Sequence, residues 1–124
     1  MAKREIKTNR APKPLGQYSQ GVISGNRIYV SGQYPVDSEK RGMPTGVAAQ
    51  TRQVLTNVRN IIEAGGGKIN NIIMCTIYLA NLGDFNEFNT VYAEFFKAPY
   101  PACTIVGCVL NPGVLIEINA IAEI

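Results

Sequence analysis

No histidine occurs among the 124 residues, and that gap removes every mechanism built on an imidazole base, Ser-His-Asp and Cys-His catalysis included. It also weakens the case for a metal. The three cysteines, Cys75, Cys103 and Cys108, form no C-x-x-C pair, so a zinc site would need three scattered thiolates and a carboxylate. With no secretory signal, their odd count argues against a disulfide framework; Cys75 and Cys108 read as small buried hydrophobes. Charge is scarce as well, at 17% of residues beside 46% hydrophobic ones, where soluble domains average roughly 25% charged. That leanness predicts buried surface beyond the core of a monomer. Long apolar runs are missing: Ile72 to Ala80 and Ile105 to Leu110 fall short of the ~18 to 20 residues that span a bilayer. The opening MAKREIKTNRAPKP has no apolar stretch or small-residue cleavage site, so a cytoplasmic chain without membrane contact is expected.

The net charge of +3 is concentrated at one end, because five of the twelve basic residues (Lys3, Arg4, Lys7, Arg10 and Lys13) fall in the first thirteen positions. The remainder is close to neutral and carries no basic stripe with interleaved aromatics, so a nucleic-acid partner is not expected.

What is present has the length of a single domain, residues 1–124. Val22-Ile23 and Ile28-Tyr29-Val30 flank Ser24-Gly25-Asn26, a hairpin signal. From Val47 to Ala64, Val47, Val54, Leu55, Val58, Ile61 and Ile62 recur at helical spacing, with Gln50, Arg52, Gln53, Arg59 and Asn60 between them. Gly65-Gly66-Gly67 follows that helix; a phosphate cradle needs glycines leading into one, so this run reads as a helix stop. Residues 71–80 read as a central strand, and Asp84 precedes an aromatic-rich second helix that ends before Pro99 and Pro101. Two further strands, 102–110 and 114–124, are predicted around the turn Asn111-Pro112-Gly113. This order gives an α+β fold with one sheet and two helices on one face. In the last strand the even positions from Val114 to Ile124 are apolar and predicted to pack under the helices. The odd row, with Glu117 between hydrophobes, would face outward and be covered by other copies of the chain.

Four features remain once structural residues are set aside: Tyr18-Ser19-Gln20, Ser31-Gly32-Gln33, Asn89 and Glu117. Each has a bland reading as packing, strand end or surface polarity. Glu117 fits its bland reading least, since a partly buried carboxylate gains proton affinity and suits general acid or base work.

The motifs PLGQYSQGV, VSGQYP, QTRQVLTNVRNIIEAGGG, TIYLANLGDFNEFNTVYAEFF, YPA and LIEINAIA, in one colinear order over nearly the whole chain, resemble the RidA/YjgF family of enamine/imine deaminases. The resemblance implies a chorismate-mutase-like fold, a homotrimer with sheets packed inward in a barrel, and clefts between subunits for a small metabolite. It implies hydrolysis of reactive 2-imino acids to 2-oxo acids and ammonia without cofactor or metal. By the same resemblance Glu117 would activate water, while Tyr18, Ser31, Gly32, Asn89, Cys103 and Ile105 would line the substrate cleft. One departure stands out: where the family pattern reads Pro-Ala-Arg, this chain has Pro101-Ala102-Cys103, without the arginine that would clamp a substrate carboxylate. The stretch from Cys103 to Glu117 is also one residue shorter than the pattern. Two readings follow, an imine hydrolase with altered substrate range and a non-catalytic trimer that binds a small ligand. A ribonuclease or translation-inhibitor role finds no local support, with neither histidine nor a basic groove.

Overall fold

In the computed structural model, which describes residues 2–124, a short first strand, β1 (Arg4–Ile6), pairs antiparallel with β2 (Gly21–Ser24). The chain then turns at Gly25, whose φ of 60° suits a residue without Cβ, into β3 (Arg27–Gln33). Helix α1 (Val47–Ala64) follows and ends in a Schellman closure: Gly66 N–H bonds to Glu63 O and Gly67 N–H to Ile62 O, with Gly66 at φ 93°. The predicted glycine stop therefore forms. Its neighbours also leave no room for side chains, since a Cβ on Gly65 would lie 2.6 Å from Ile6 Cδ1.

Strand β4 (Ile72–Leu79), helix α2 (Phe85–Phe95), β5 (Ala102–Gly107) and β6 (Ile116–Glu123) complete the chain. The sheet order is β1-β2-β3-β6-β4-β5, with β4 and β5 parallel and the other pairs antiparallel. The mixed six-stranded sheet with two helices is the chorismate-mutase-like arrangement expected from the sequence. Alternation decides which face each residue serves. Ile116, Ile118, Ala120 and Ala122 are buried with Val54, Leu55, Val58, Ile61 and Ile62 of α1, as their even positions require. Leu55 is fully enclosed, so Leu55→Ala should cost about 2–5 kcal/mol, read as a lower denaturant midpoint at unchanged m value and fixed protein concentration.

Several boundaries differ from the sequence reading. Strand β5 stops at Gly107, and residues 108–115 form a loop in which Val109 is almost wholly exposed. Cys108 lies at the start of that loop and is only half-buried, unlike the buried Cys75. At the far end, Leu115 N–H bonds to the Gln50 side chain instead of a strand, so β6 starts at Ile116, two residues later than predicted; Ile124 falls beyond it and is exposed. Gln50 and Asn60, read from spacing as part of the polar face of α1, are buried. Their carboxamides, with that of Asn57, bond backbone groups of adjoining loops: Gln50 Nε2 donates to Pro44 O and Gly113 O, Asn57 Nδ2 to Val36 O, and Asn60 Nδ2 to Arg10 O. A buried amide with backbone partners offsets its own desolvation.

The opposite sheet face carries no helix. Tyr29, Met74 and Val106 stand exposed there, opposite Ile121, Ile121 and Tyr78 in the ladders. Among the described residues no helix is long and apolar enough to cross a membrane.

Candidate functional site

On the uncovered face, β3 and β6 bring Gly32 beneath Glu117. A Cβ placed on Gly32 would lie 3.1 Å from Glu117 Oε2, so the absent side chain leaves space directly beside the carboxylate. Glu117 is half-buried. Desolvation raises its pKa above the ordinary carboxylate range. No ion pair offsets this among the described residues. A cleft of about 360 Å³ opens over it, with Ser31 and Gly32 on the strand side and Leu15, Tyr18, Tyr34 and Asn111 contributed by loops. Ser31 Oγ donates to Ser19 O at 2.6 Å, so its hydroxyl ties the Tyr18 loop to the strand. The Tyr18 hydroxyl oxygen accepts the Leu15 N–H at 3.2 Å, leaving its proton free. Burial and the nearby Tyr18 raise the pKa of the Tyr34 phenol, so it stays a neutral donor.

The remaining residues singled out in the sequence lie elsewhere. Cys103 and Ile105 sit opposite Cys75 and Ile77 in the parallel ladder and share their face, which is the helix side. With Asn89 they line a second cleft of about 390 Å³, against Phe85, Phe88, Tyr92 and Tyr100. Strand β4 separates β5 from β6, so Cys103 and Glu117 are two strands apart, about 10 Å laterally, and on opposite faces. Within one copy of the chain the candidate residues therefore divide between two separate clefts. Tyr18, Ser31, Gly32 and Glu117 form one; Asn89, Cys103 and Ile105 form the other.

The second cleft contains no charged side chain. Cys103 is exposed at the residue level, but desolvation raises the pKa of its thiol above the ordinary value, and Cys75 beside it is pushed up to about 11 by burial. Both are therefore protonated at neutral pH and act as weak donors. The Tyr92 hydroxyl lies against these two thiols, buried and without a hydrogen-bond partner among the described residues.

Tyr34, Asn111, Phe85, Tyr92 and Tyr100 line these clefts and did not emerge as site residues from the sequence. Tyr34 had a signal in VSGQYP, one step past Gln33; the helix aromatics had none, because their spacing matches a core stripe. A larger groove of about 590 Å³ runs along the N-terminal segment between Lys7, Lys13 and Gln20. The Gln20 carboxamide is satisfied by Thr8, Ala11 and Pro12, so this groove presents no unpaired buried group. No three Cys, Asp or Glu side chains gather among the described residues as they would around a metal ion.

Residues 8–124 match the family model described as endoribonuclease L-PSP. The chain is 44% identical over 122 residues to a RutC family protein of Pyrococcus horikoshii, covering 97% of each. It is 43% identical over 123 residues to a 2-iminobutanoate/2-iminopropanoate deaminase of Escherichia coli, covering 96% of each. Among solved structures, RidA of Psychrobacter sp. PAMC 21119 superposes with a TM-score of 0.93 at 38% identity, over 98% of this chain and 99% of that one.

Proposed function

Because the chain belongs to the RidA/YjgF family, we propose that it hydrolyses a reactive imine or enamine to a carbonyl compound and ammonia, at a site completed by two adjacent copies. The observation that carries this reading is the desolvated Glu117 carboxylate beside the open space above Gly32. An imine carbon is already electrophilic, so positioned water and one base suffice. The imine reacts as its N-protonated form, C=NH2+: Glu117 takes a proton from water as its oxygen adds to the carbon and the π pair moves to nitrogen, forming a neutral carbinolamine. It then delivers that proton to nitrogen; the C–N bond breaks with its electron pair on the departing ammonia, and the hydroxyl proton is lost as the carbonyl forms. Neither step calls for a cofactor or metal.

The split between the two clefts supports a shared site. In a homotrimer with the uncovered sheet faces turned inward, Tyr29, Met74 and Val106 would be shielded from water, and the edge carrying β5 would meet a neighbour's β3 and β6. Tyr18, Ser31, Gly32 and Glu117 of one copy would then face Asn89, Cys103 and Ile105 of the next. With Cys103 in place of the family arginine, the substrate range is shifted from 2-imino acids. The ribonuclease named by the family model fits poorly, since the chain lacks histidine and neither cleft has a basic side chain.

Mixing distinguishes a shared site from a self-contained one. Copies carrying Glu117→Gln and copies whose second cleft is filled by Ala93→Trp should each be inactive alone. Unfolded and refolded together in equal amounts, they should recover about a quarter of wild-type activity, since random closed rings pair two intact halves at one interface in four. No recovery in mixed trimers verified by mass would refute the shared site.

A further inference from the structure

Resting on the shared site proposed above, we infer that its substrate is a cation, an alkyl or aryl iminium without a carboxylate, held by Glu117 and rings contributed from both copies.

The distribution of charge supplies the first argument. Neither cleft has a lysine or arginine in its lining. Arg10, Arg27, Arg41 and Arg52 pair with Glu63, Glu123, Asp37 and Glu94, and the Arg59 guanidinium lies 5.5 Å from the Phe95 ring centroid. Joined, the two clefts hold one carboxylate and no opposing charge. An anionic 2-imino acid would meet Glu117 as a like charge, each raising the other's proton affinity. A cation would instead supply the counter-charge that half-buried Glu117 lacks.

The second argument concerns the rings. Tyr18 is 47% exposed, Phe85 39% and Tyr100 61%, and all three line these clefts, as does the half-buried Tyr34. Aromatic faces carry negative potential and attract cations, by roughly 0.5–2 kcal/mol at each well-placed ring. One carboxylate surrounded by neutral rings and phenols is suited to a planar C=NH2+ group, whose N–H bonds point toward an acceptor. The reaction balances as iminium plus water giving carbonyl plus ammonium. Water oxygen bonds to carbon as the C=N π pair moves to nitrogen and Glu117 takes a proton; Glu117 returns that proton to nitrogen, the C–N bond breaks with its pair on the departing ammonia, and the hydroxyl proton passes to the ammonia as the carbonyl forms.

Benzamidinium and benzoate are stable, similarly shaped probes of opposite charge. Calorimetry should show benzamidinium binding to the wild-type oligomer and benzoate failing to bind under matched conditions. Tyr34→Leu and Phe85→Leu should each weaken benzamidinium by roughly 3- to 30-fold without changing the mass of the oligomer. Turnover supplies a separate reading. Flavin amine oxidase acting on phenethylamine and flavin L-amino acid oxidase acting on L-phenylalanine release imines that differ only by a carboxylate. The protein should accelerate decay of the first imine at least about tenfold more than the second, the scale of one charged contact. Benzoate binding as tightly as benzamidinium, or faster decay of the 2-imino acid, would overturn the cation assignment while leaving imine hydrolysis in place. Benzamidinium binding without acceleration of either imine would support the cation site and count against hydrolysis.

Discussion

Glu117→Gln should lower kcat/KM toward any imine the protein hydrolyses by about 10²- to 10⁴-fold, the range for losing a positioned general base. Glutamine keeps the shape and fills the same space over Gly32, so the loss would report proton transfer. Stability supplies a control with a defined sign. The Glu117 pKa is raised in the folded protein by desolvation. The folded state therefore holds this proton more tightly than the unfolded state. This favours folding below the unfolded pKa, and the benefit is lost as pH rises through the higher folded pKa. Wherever that carboxylate is ionised, the wild type carries a desolvated charge that the variant lacks. The glutamine protein should thus melt no lower than wild type, measured at equal concentration. In the wild type, kcat/KM should fall on the acid side around a pKa above the ordinary carboxylate range, and residual activity of the variant should lack that limb. Full activity in the variant would remove Glu117 from the mechanism.

Cys103→Arg should raise kcat/KM toward 2-imino acids by about 10- to 100-fold, the effect of a charge-assisted, two-pronged carboxylate contact worth roughly 1.5–3 kcal/mol. The present thiol provides neither charge nor fork. Room exists for the larger side chain because Cys103 is exposed at the mouth of the second cleft. The Tyr92 hydroxyl, which lies against the Cys75 and Cys103 thiols and has no hydrogen-bond partner among the described residues, can accept a guanidinium N–H, so the substitution should not lower the melting temperature. The same variant should lose affinity for benzamidinium, since it adds the positive charge the site now lacks. If neither 2-imino acid turnover nor benzamidinium affinity changes, position 103 does not face the ligand, and the shorter 108–115 loop would then have shifted the mouth of the cleft.

Periodicity made the two helices, the hairpin and the inward row of β6 legible, because each rests on spacing that burial enforces directly. The ends of β5 and β6 were not, since 108–110 and 114–115 are apolar yet extend no ladder: Cys108 N–H makes one bond to Leu79 O at the end of β4, Val114 N–H bonds to Asn111 O within its own turn, and Leu115 N–H bonds to the Gln50 side chain. Glu117 could be picked out because a carboxylate alternating with hydrophobes on a strand is costly without a purpose. Cys103 could be picked out only as a departure from a family pattern; nothing in its immediate neighbours marks it. The separation of Cys103 from Glu117 onto opposite faces depends on β6 inserting between β3 and β4, a long-range pairing that no local pattern encodes. Tyr34 and Tyr100 lie inside the motifs VSGQYP and YPA but were not singled out as cleft residues, since loop and post-helix aromatics acquire a direction only from tertiary packing.

The buried carboxamides of α1 bear on how this protein can diversify. Gln50, Asn57 and Asn60 grip main-chain atoms of three separate loops, so the identity of the loop side chains is free of that attachment. A helix anchored in the interior thus serves as a peg rail on which the walls around Glu117 hang. New linings can be exchanged residue by residue without disturbing the sheet that fixes the base, a route by which one scaffold could come to accept chemically different imines.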